Sequence, residues 1–315
     1  MHKIIFTKWA VRKAVFLQPR CFYFLLLLKN LNVYGIILSV LKTEVKRVNY
    51  KIVFSDIDGT LLSSGRQILP GTLSAIEELR KKGIPFVPIS ARSPSGIYSV
   101  EREFGLSCPI IAYSGALMLD ENGKKVFSKG FSRETARRIV DFLENSGLDC
   151  VWSVFSGDTW ITKDRKEPRI AAEEKSVKTE AVEGSVDLLD AAAVIGKVLC
   201  ICAPDELAET ERCLKAEFPE LSILRSTFPM LEIMENGVTK GSAVMTLCEL
   251  KNIPISETVA FGDNYNDLDM LNTVGLPFLM GNAPEDLKKL VPNVTSDNNS
   301  EGIFKGLVKA GLVKC

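Results

Sequence analysis

The sequence predicts an α/β protein: a doubly wound parallel sheet accompanied by a self-contained α+β unit. Three observations carry this. From residue 50 to about residue 119, short apolar runs alternate with helical stretches, as parallel sheets covered by helices require. Between residues 132 and 234 the alternation changes to a mixture of helices and strands of about a hundred residues, the size of a small domain. Two apolar runs, Lys51–Ser55 and Thr258–Gly262, each end in acidic residues. Parallel sheets bind ligands beyond the carboxyl ends of their strands, so both acidic ends belong at one edge.

The elements follow in order. Lys51–Ser55 is a strand; Pro70–Lys82 is a helix with Pro at its start and Gly83 at its end. Ile84–Ile89 is a strand, Pro94–Phe104 a helix closed by Gly105, and Pro109–Tyr113 a strand. Leu117–Leu119 and Lys125–Phe127 flank Asn122-Gly123, a hairpin turn. Ser132–Ser146 is a helix with Ser132 as N-cap and Gly147 beyond its end. Strands follow at Asp149–Phe155 and Thr159–Thr162, then a charged, partly helical stretch, Lys163–Lys178. Lys197–Ala203 is a strand, Asp205–Phe218 a helix, and Leu221–Leu224 and Met230–Met234 are strands. The helix Thr239–Leu250 returns the chain to the parallel sheet.

Composition narrows the function. Lys+Arg and Asp+Glu each number 39 over the 315 residues. Residues 1–49 hold nine of the basic side chains and one acid, Glu44, which leaves 30 basic against 38 acidic and a net charge of −8 for residues 50–315. An acidic body lacks the basic face that nucleic acid needs. Eight cysteines without a C-x-x-C pair indicate a reducing, cytoplasmic setting without zinc. Cys200 and Cys202 alternate within one apolar strand and should face one core surface. The only histidine is His2, so acid–base work in the body falls to carboxylates, Lys, Tyr or Cys.

The first 49 residues read as an extension outside the fold. The apolar run Cys21–Leu28 has eight residues, against the roughly twenty that span a membrane. An unstructured extension or upstream mis-start, a basic membrane-surface anchor within residues 1–47, and a cleaved targeting peptide are the competing readings.

The chemistry concentrates in two stretches. In Asp56-Ile57-Asp58-Gly59-Thr60 a strand runs into two acids spaced i and i+2, which a continuing strand would deliver to one face. Close carboxylates repel unless a cation or a shared proton relieves them. A calcium loop does not fit: counting from Asp56, its glycine position is Leu61 and its final glutamate position is Gln67. The second stretch, Gly262-Asp263-Asn264-Tyr265-Asn266-Asp267-Leu268-Asp269-Met270-Leu271, repeats the design. By itself it could be an Asn-rich turn with a helix N-cap.

With Ser90 in Pro88-Ile89-Ser90-Ala91-Arg92 and Lys240 in Asn236-Gly237-Val238-Thr239-Lys240-Gly241, these stretches form four motifs in order. Residues 50–315 thereby resemble the haloacid dehalogenase (HAD) superfamily, and most of all its Cof-type phosphatases. Met280-Gly281-Asn282-Ala283 and Val294-Thr295 through Glu301-Gly302-Ile303 also match that group. The chain departs from it in two places. Ser90-Ala91-Arg92 stands for Thr-Gly-Arg or Ser-Gly-Arg, and Ser114-Gly115-Ala116 for Asn-Gly-Ala; both border the substrate side.

The resemblance implies a HAD-like core formed by residues 50–130 and 226–315, with residues 131–225 inserted as a cap. It implies a phosphatase acting on a small phosphate ester of the sugar phosphate, FMN or pyridoxal phosphate class. Asp56 would be the nucleophile. Asp58 would be acid and base, its pKa raised by neighbouring negative charges. Asp56, the Asp58 main-chain carbonyl and Asp263 suit Mg2+, with Asp267 in support. Ser90, Lys240 and Asn266 would hold the phosphoryl oxygens. Arg92, Ser114 and Gly115 would meet the substrate, together with cap residues that the sequence does not single out. A phosphomutase of the same superfamily and a non-catalytic phosphometabolite-binding protein are the alternatives. The mutases usually have a longer, glycine-richer fourth motif, and a binding protein would lack a motif residue.

Overall fold

The computed structural model describes residues 48–226 and 228–314, so the readings made for residues 1–47 lie outside the described residues. In chain order, β1 (Ile52–Ser55), α1 (Pro70–Lys81), β2 (Phe86–Pro88), α2 (Pro94–Phe104) and β3 (Ile110–Ala112) lead into the hairpin β4 (Leu117–Leu119) and β5 (Lys125–Ser128). Next come β6 (Phe131–Ser132), α3 (Arg133–Asn145), β7 (Cys150–Ser156), β8 (Thr159–Thr162), α4 (Pro168–Val177), β9 (Val182–Glu183), β10 (Val194–Cys202), α5 (Leu207–Glu217), β11 (Leu221–Arg225) and β12 (Met230–Glu235). The chain ends with α6 (Lys240–Leu250), β13 (Thr258–Gly262), α7 (Leu268–Thr273), β14 (Leu276–Leu279) and α8 (Gly302–Lys309).

The first sheet is parallel, in the order β14-β13-β1-β2. A single parallel bridge, Ile89 to Ile111, joins β3 to its edge. Every residue of β1 is buried, because both faces of the sheet are covered. Val53 packs with Ile76 and Leu79 of α1, whereas Ile52 and Phe54 pack with Val244 and Leu247 of α6. That alternation is the period-2 geometry of a strand. With β2 on one side of β1 and β13 on the other, the strand order reverses at β1, which opens a crevice at its carboxyl end.

The second sheet runs β11-β12-β10-β7-β8-β9, with β6 also paired to β10. It is antiparallel except for the β8–β9 pair. Its core includes Ile139 and Leu143 of α3, Leu214 of α5, and Cys200 and Cys202, which share one face as expected.

Capping chemistry explains the helix boundaries. Ser93 accepts from the Gly96 N–H at the start of α2, and Gly105 closes it in the left-handed region at the expected place. Ser132 caps α3 through the Thr135 N–H. Helix α1 lacks a local side-chain cap. Glu301, far along the chain, accepts from the Gly71 and Thr72 N–H groups at 2.7 and 2.9 Å instead.

Among the boundaries that differ from expectation, three have a clear physical reason. β2 starts at Phe86 rather than Ile84, because the Ile84 N–H closes the end of α1 on the Leu79 carbonyl. β10 begins at Val194 rather than Lys197, since a glycine and a charge interrupt an otherwise apolar run. β1 stops at Ser55, so the two acids are not on a continuing strand. The Asp56 carbonyl accepts from the Leu61 N–H and the Ile57 carbonyl from the Leu62 N–H, which curls the backbone.

Candidate active site

That curl separates the two acids. Asp56 is buried, with 7% exposure, while the Asp58 side chain is 54% exposed. The Asp56 N–H still reaches across the sheet to the Phe261 carbonyl at 3.0 Å. Parallel pairing of Ser55 with Phe261 thus sets Asp56 beside the end of β13, where Asp263 follows Gly262. Asp56, Asp263 and Asp267 bring one carboxylate oxygen each to within 4.8 Å of one another. Gly59, at φ +84°, makes the turn possible: a Cβ there would lie 2.4 Å from Asp263 Oδ2.

Lys240 enters from the first turn of α6. A helix N-terminus disfavours a cation, so its position needs strong compensation. It donates to Asp56 Oδ1 at 2.5 Å and to Asp267 Oδ1 at 2.6 Å, with its side chain 1% exposed. The other Asp267 oxygen accepts from the Asp263 and Asn264 N–H groups at 3.0 and 3.1 Å. Asp269, two residues on, holds the Gly241 N–H at 2.9 Å and so fixes the start of α6. Asp263 accepts from the Thr60 hydroxyl at 2.7 Å. Asp56 and Asp263 are therefore the acids with the least committed oxygens.

The electrostatics follow from this crowding. Burial pushes the Asp56 carboxyl up to about 8; Asp267 and Asp263 push the same way, and Lys240 opposes. Burial likewise pushes Asp263 up to about 6. Burial would lower Lys240, but the Asp56 and Asp267 charges outweigh it and hold the ammonium above its ordinary value. With all three carboxylates ionised, one ammonium would leave two negative charges uncompensated, and every donor is a hard oxygen. A divalent oxygen-seeking cation fits that set.

A pH dependence follows. Both acids bind protons more tightly folded than unfolded, where their value is 3.8. The stability they contribute to metal-free protein is complete below about pH 4 and is lost as pH rises through about 6 and then about 8. A cation at these acids would relieve that loss. The Tm increment produced by Mg2+ is therefore expected to be larger at pH 8 than at pH 5. Melts at both pH values with EDTA or Mg2+ measure it; an equal or reversed increment rejects the electrostatic account.

The remaining sequence-selected residues have different roles in the geometry. Ser90 is buried at the end of β2, and its hydroxyl oxygen accepts from the Arg92 N–H at 3.2 Å. The Arg92 guanidinium grips Asp58 with two bonds of 2.8 and 2.6 Å. Asp58 is thus hydrogen-bonded to a cation, where the sequence expectation set it among negative charges. Ser114, at φ +52°, donates its N–H to the Ser90 carbonyl at 2.8 Å, and Gly115 beside it is buried. Asn266 is exposed in the single turn Tyr265–Asp267, with no side-chain partner among the described residues.

The sequence reading missed residues of the second sheet that face this crevice. Lys197 of β10 and Glu232 of β12 form an ion pair at 2.8 Å, with side chains 8% and 9% exposed. Glu173 of α4 lies nearby; burial raises its carboxyl, Lys197 and Arg92 lower it, and Glu232 and Asp58 raise it. The available signal was a charge inside each apolar strand, Lys197 within Val194–Cys202 and Glu232 within Met230–Glu235.

Fold and site together define a hydrolase class: a doubly wound sheet whose central strand ends in an acid paired to a buried lysine. A family model described as haloacid dehalogenase-like hydrolase matches residues 53–307. A Haemophilus influenzae protein named "Putative phosphatase" is 38% identical over 256 residues, covering 81% of this chain and 95% of that protein. The HMP-PP phosphatase of Serratia proteamaculans is 26% identical over 78% of this chain and 89% of its own length. The crystal structure of TM0651 from Thermotoga maritima superposes with a TM-score of 0.75 at 27% identity, covering 82% of this chain and 97% of that one. The chain belongs to the haloacid dehalogenase-like hydrolase family and is a phosphatase of that family.

Proposed function

We propose that the chain is a magnesium-dependent phosphatase that hydrolyses a small phosphorylated metabolite through an aspartyl-phosphate intermediate. The observation that carries this reading is the buried Asp56 set among Asp263, Asp267 and Lys240. Asp56, the Asp58 carbonyl and Asp263 would hold Mg2+. Asp267, with both oxygens engaged, would support it. The ion would neutralise the phosphate dianion and steady it for in-line attack.

The protein's own residues do the rest. Asp56, ionised once its site is charge-balanced, attacks phosphorus and needs no base. Asp58 donates a proton to the leaving oxygen and later takes one from the attacking water. Its exposure suits a group that must turn between the two tasks; the Arg92 bonds favour the ionised carboxylate and must open for the acid step. Ser90, Lys240 and Asn266 hold the phosphoryl oxygens, Asn266 by turning in from its exposed position. The expected boundary at residue 225 moves: β12 (Met230–Glu235) pairs with β10 and β11 in the antiparallel sheet, so residues 131–235 act as a cap that reads the leaving group and residues 50–130 and 236–315 as the core. Sugar phosphates, FMN and pyridoxal phosphate are the substrate classes to assay, with HMP-PP added because relatives carry its name. The free cysteines accord with a cytoplasmic enzyme. Among the described residues no helix is long and apolar enough to cross a membrane.

EDTA is expected to remove activity, Mg2+ to restore it, and Ca2+ to restore it poorly because its larger, looser shell disfavours in-line geometry. An aryl phosphate assay followed by a metabolite panel tests both metal and substrate. Activity undiminished by EDTA would mean that the acids do not serve a metal.

A further inference from the structure

The peptide that links Ser90 to Arg92 is held from the second sheet. Three consecutive carbonyls of this segment are satisfied from two places, the Tyr113-Ser114 loop and β10. The Ser90 carbonyl accepts from the Ser114 N–H at 2.8 Å and the Arg92 carbonyl from the Tyr113 N–H at 3.0 Å. The middle one, of Ala91, accepts from the Lys197 ammonium at 2.9 Å. Lys197 is anchored in turn by Glu232 Oε1 at 2.8 Å and stands 5.2 Å from the centre of the Phe155 ring.

The backbone is shaped for this approach. Gly196, just before Lys197, faces the Tyr113 ring, and a Cβ there would come within 2.7 Å of it. The Tyr113 hydroxyl donates to the Gly157 carbonyl in the turn between β7 and β8, at 3.0 Å. One stretch of β10 therefore touches both loops that end core strands at the site.

Stability alone does not account for a buried lysine and glutamate here. Desolvating such a pair offsets most of its attraction, and an apolar pair of similar volume is often as stable or more so. What an apolar pair would not supply is the bond to Ala91.

We propose that Lys197, held by Glu232, is a positioning residue of the phosphatase: it fixes the Ala91 carbonyl and thereby the Ser90 hydroxyl and the Arg92–Asp58 pair. The inference rests on the function proposed above. It makes the antiparallel sheet part of the catalytic geometry, independently of any contact with the leaving group. A substrate with a small leaving group should therefore feel its loss.

The test uses the full chain with Mg2+ and an aryl phosphate, comparing the parent with Lys197→Met/Glu232→Leu. The variant should melt within a few degrees of the parent. Its kcat should fall ~10- to 100-fold, the effect of misplacing catalytic groups by about an ångström. KM should change by no more than about threefold, because ground-state binding is largely kept. Should the apolar pair not fold, Lys197→Met/Glu232→Gln, which keeps a polar group at 232 but still removes the donor to Ala91, is expected to show the same split. A folded variant of either kind with parental kcat overturns the inference, as does a kcat loss explained by melting at the assay temperature. A parent that hydrolyses no aryl phosphate rejects the functional reading itself, and the inference with it.

Discussion

Asp56→Asn is expected to abolish turnover while leaving the fold intact. The nucleophile is lost, and removing a covalent nucleophile lowers kcat by roughly 10^4- to 10^6-fold. The fold should survive because the amide keeps the shape of the carboxyl and can still accept from Lys240. Burial and the adjacent acids already push Asp56 up to about 8, so at neutral pH the metal-free site resembles one with a neutral group there. Melting of the metal-free variant should lie close to that of the parent. Substantial residual hydrolysis, measured on protein free of wild-type contamination, would sink the covalent route. Asp58→Asn separates the two half-reactions. Both should slow if Asp58 is acid and base; normal phosphoenzyme formation followed by slow hydrolysis would make it the base alone.

Much of the site was legible because its residues are local to strand ends. Asp56, Ser90 and Asp263 each follow an apolar run, and a parallel sheet places all such ends along one edge. Lys240 stands just after its N-cap, Thr239, at the start of a helix with an apolar face. Glycines and N-caps marked Pro94–Phe104 and the start of α3 because those signals are made within a few residues.

What was not legible depends on distant partners. Spacing alone put Asp56 and Asp58 on one face, but the curl closed by Leu61 and Leu62 turns one inward and the other to Arg92. The cap of α1 comes from Glu301, more than two hundred residues away, which no local pattern announces. Two-residue strands such as Phe131–Ser132 and Val182–Glu183 are too short for any periodicity. Lys197 opened one expected strand and Glu232 lay inside another, with no local pattern to relate them. Only the pairing of β10 with β12, and their approach to Ala91, turns them into partners.

The second large effect is expected at Lys240. Lys240→Met removes the ammonium shared by Asp56 and Asp267 and leaves the buried acids without it. Breaking a buried ion pair by removing one partner destabilises by about 3–5 kcal/mol. At about 2–4 °C per kcal/mol for a body of this size, metal-free Tm should fall by roughly 10 °C. Activity should fall by about 10^2- to 10^3-fold, the scale for losing one preorganised group that stabilises transition-state charge. The two losses should respond differently to metal. With one positive charge fewer, the pocket attracts a divalent cation more strongly, and a ligand of the folded state alone raises Tm with its affinity. Saturating Mg2+ should therefore restore more of the variant's Tm than it adds to the parent's, while kcat stays low because the ion does not replace a donor to the phosphoryl oxygens. Melts with and without Mg2+, set beside kcat at saturating substrate, measure both. If Lys240→Met kept parental activity, or if Mg2+ restored activity along with Tm, Lys240 would serve only to balance the acids and would not act on the phosphoryl group.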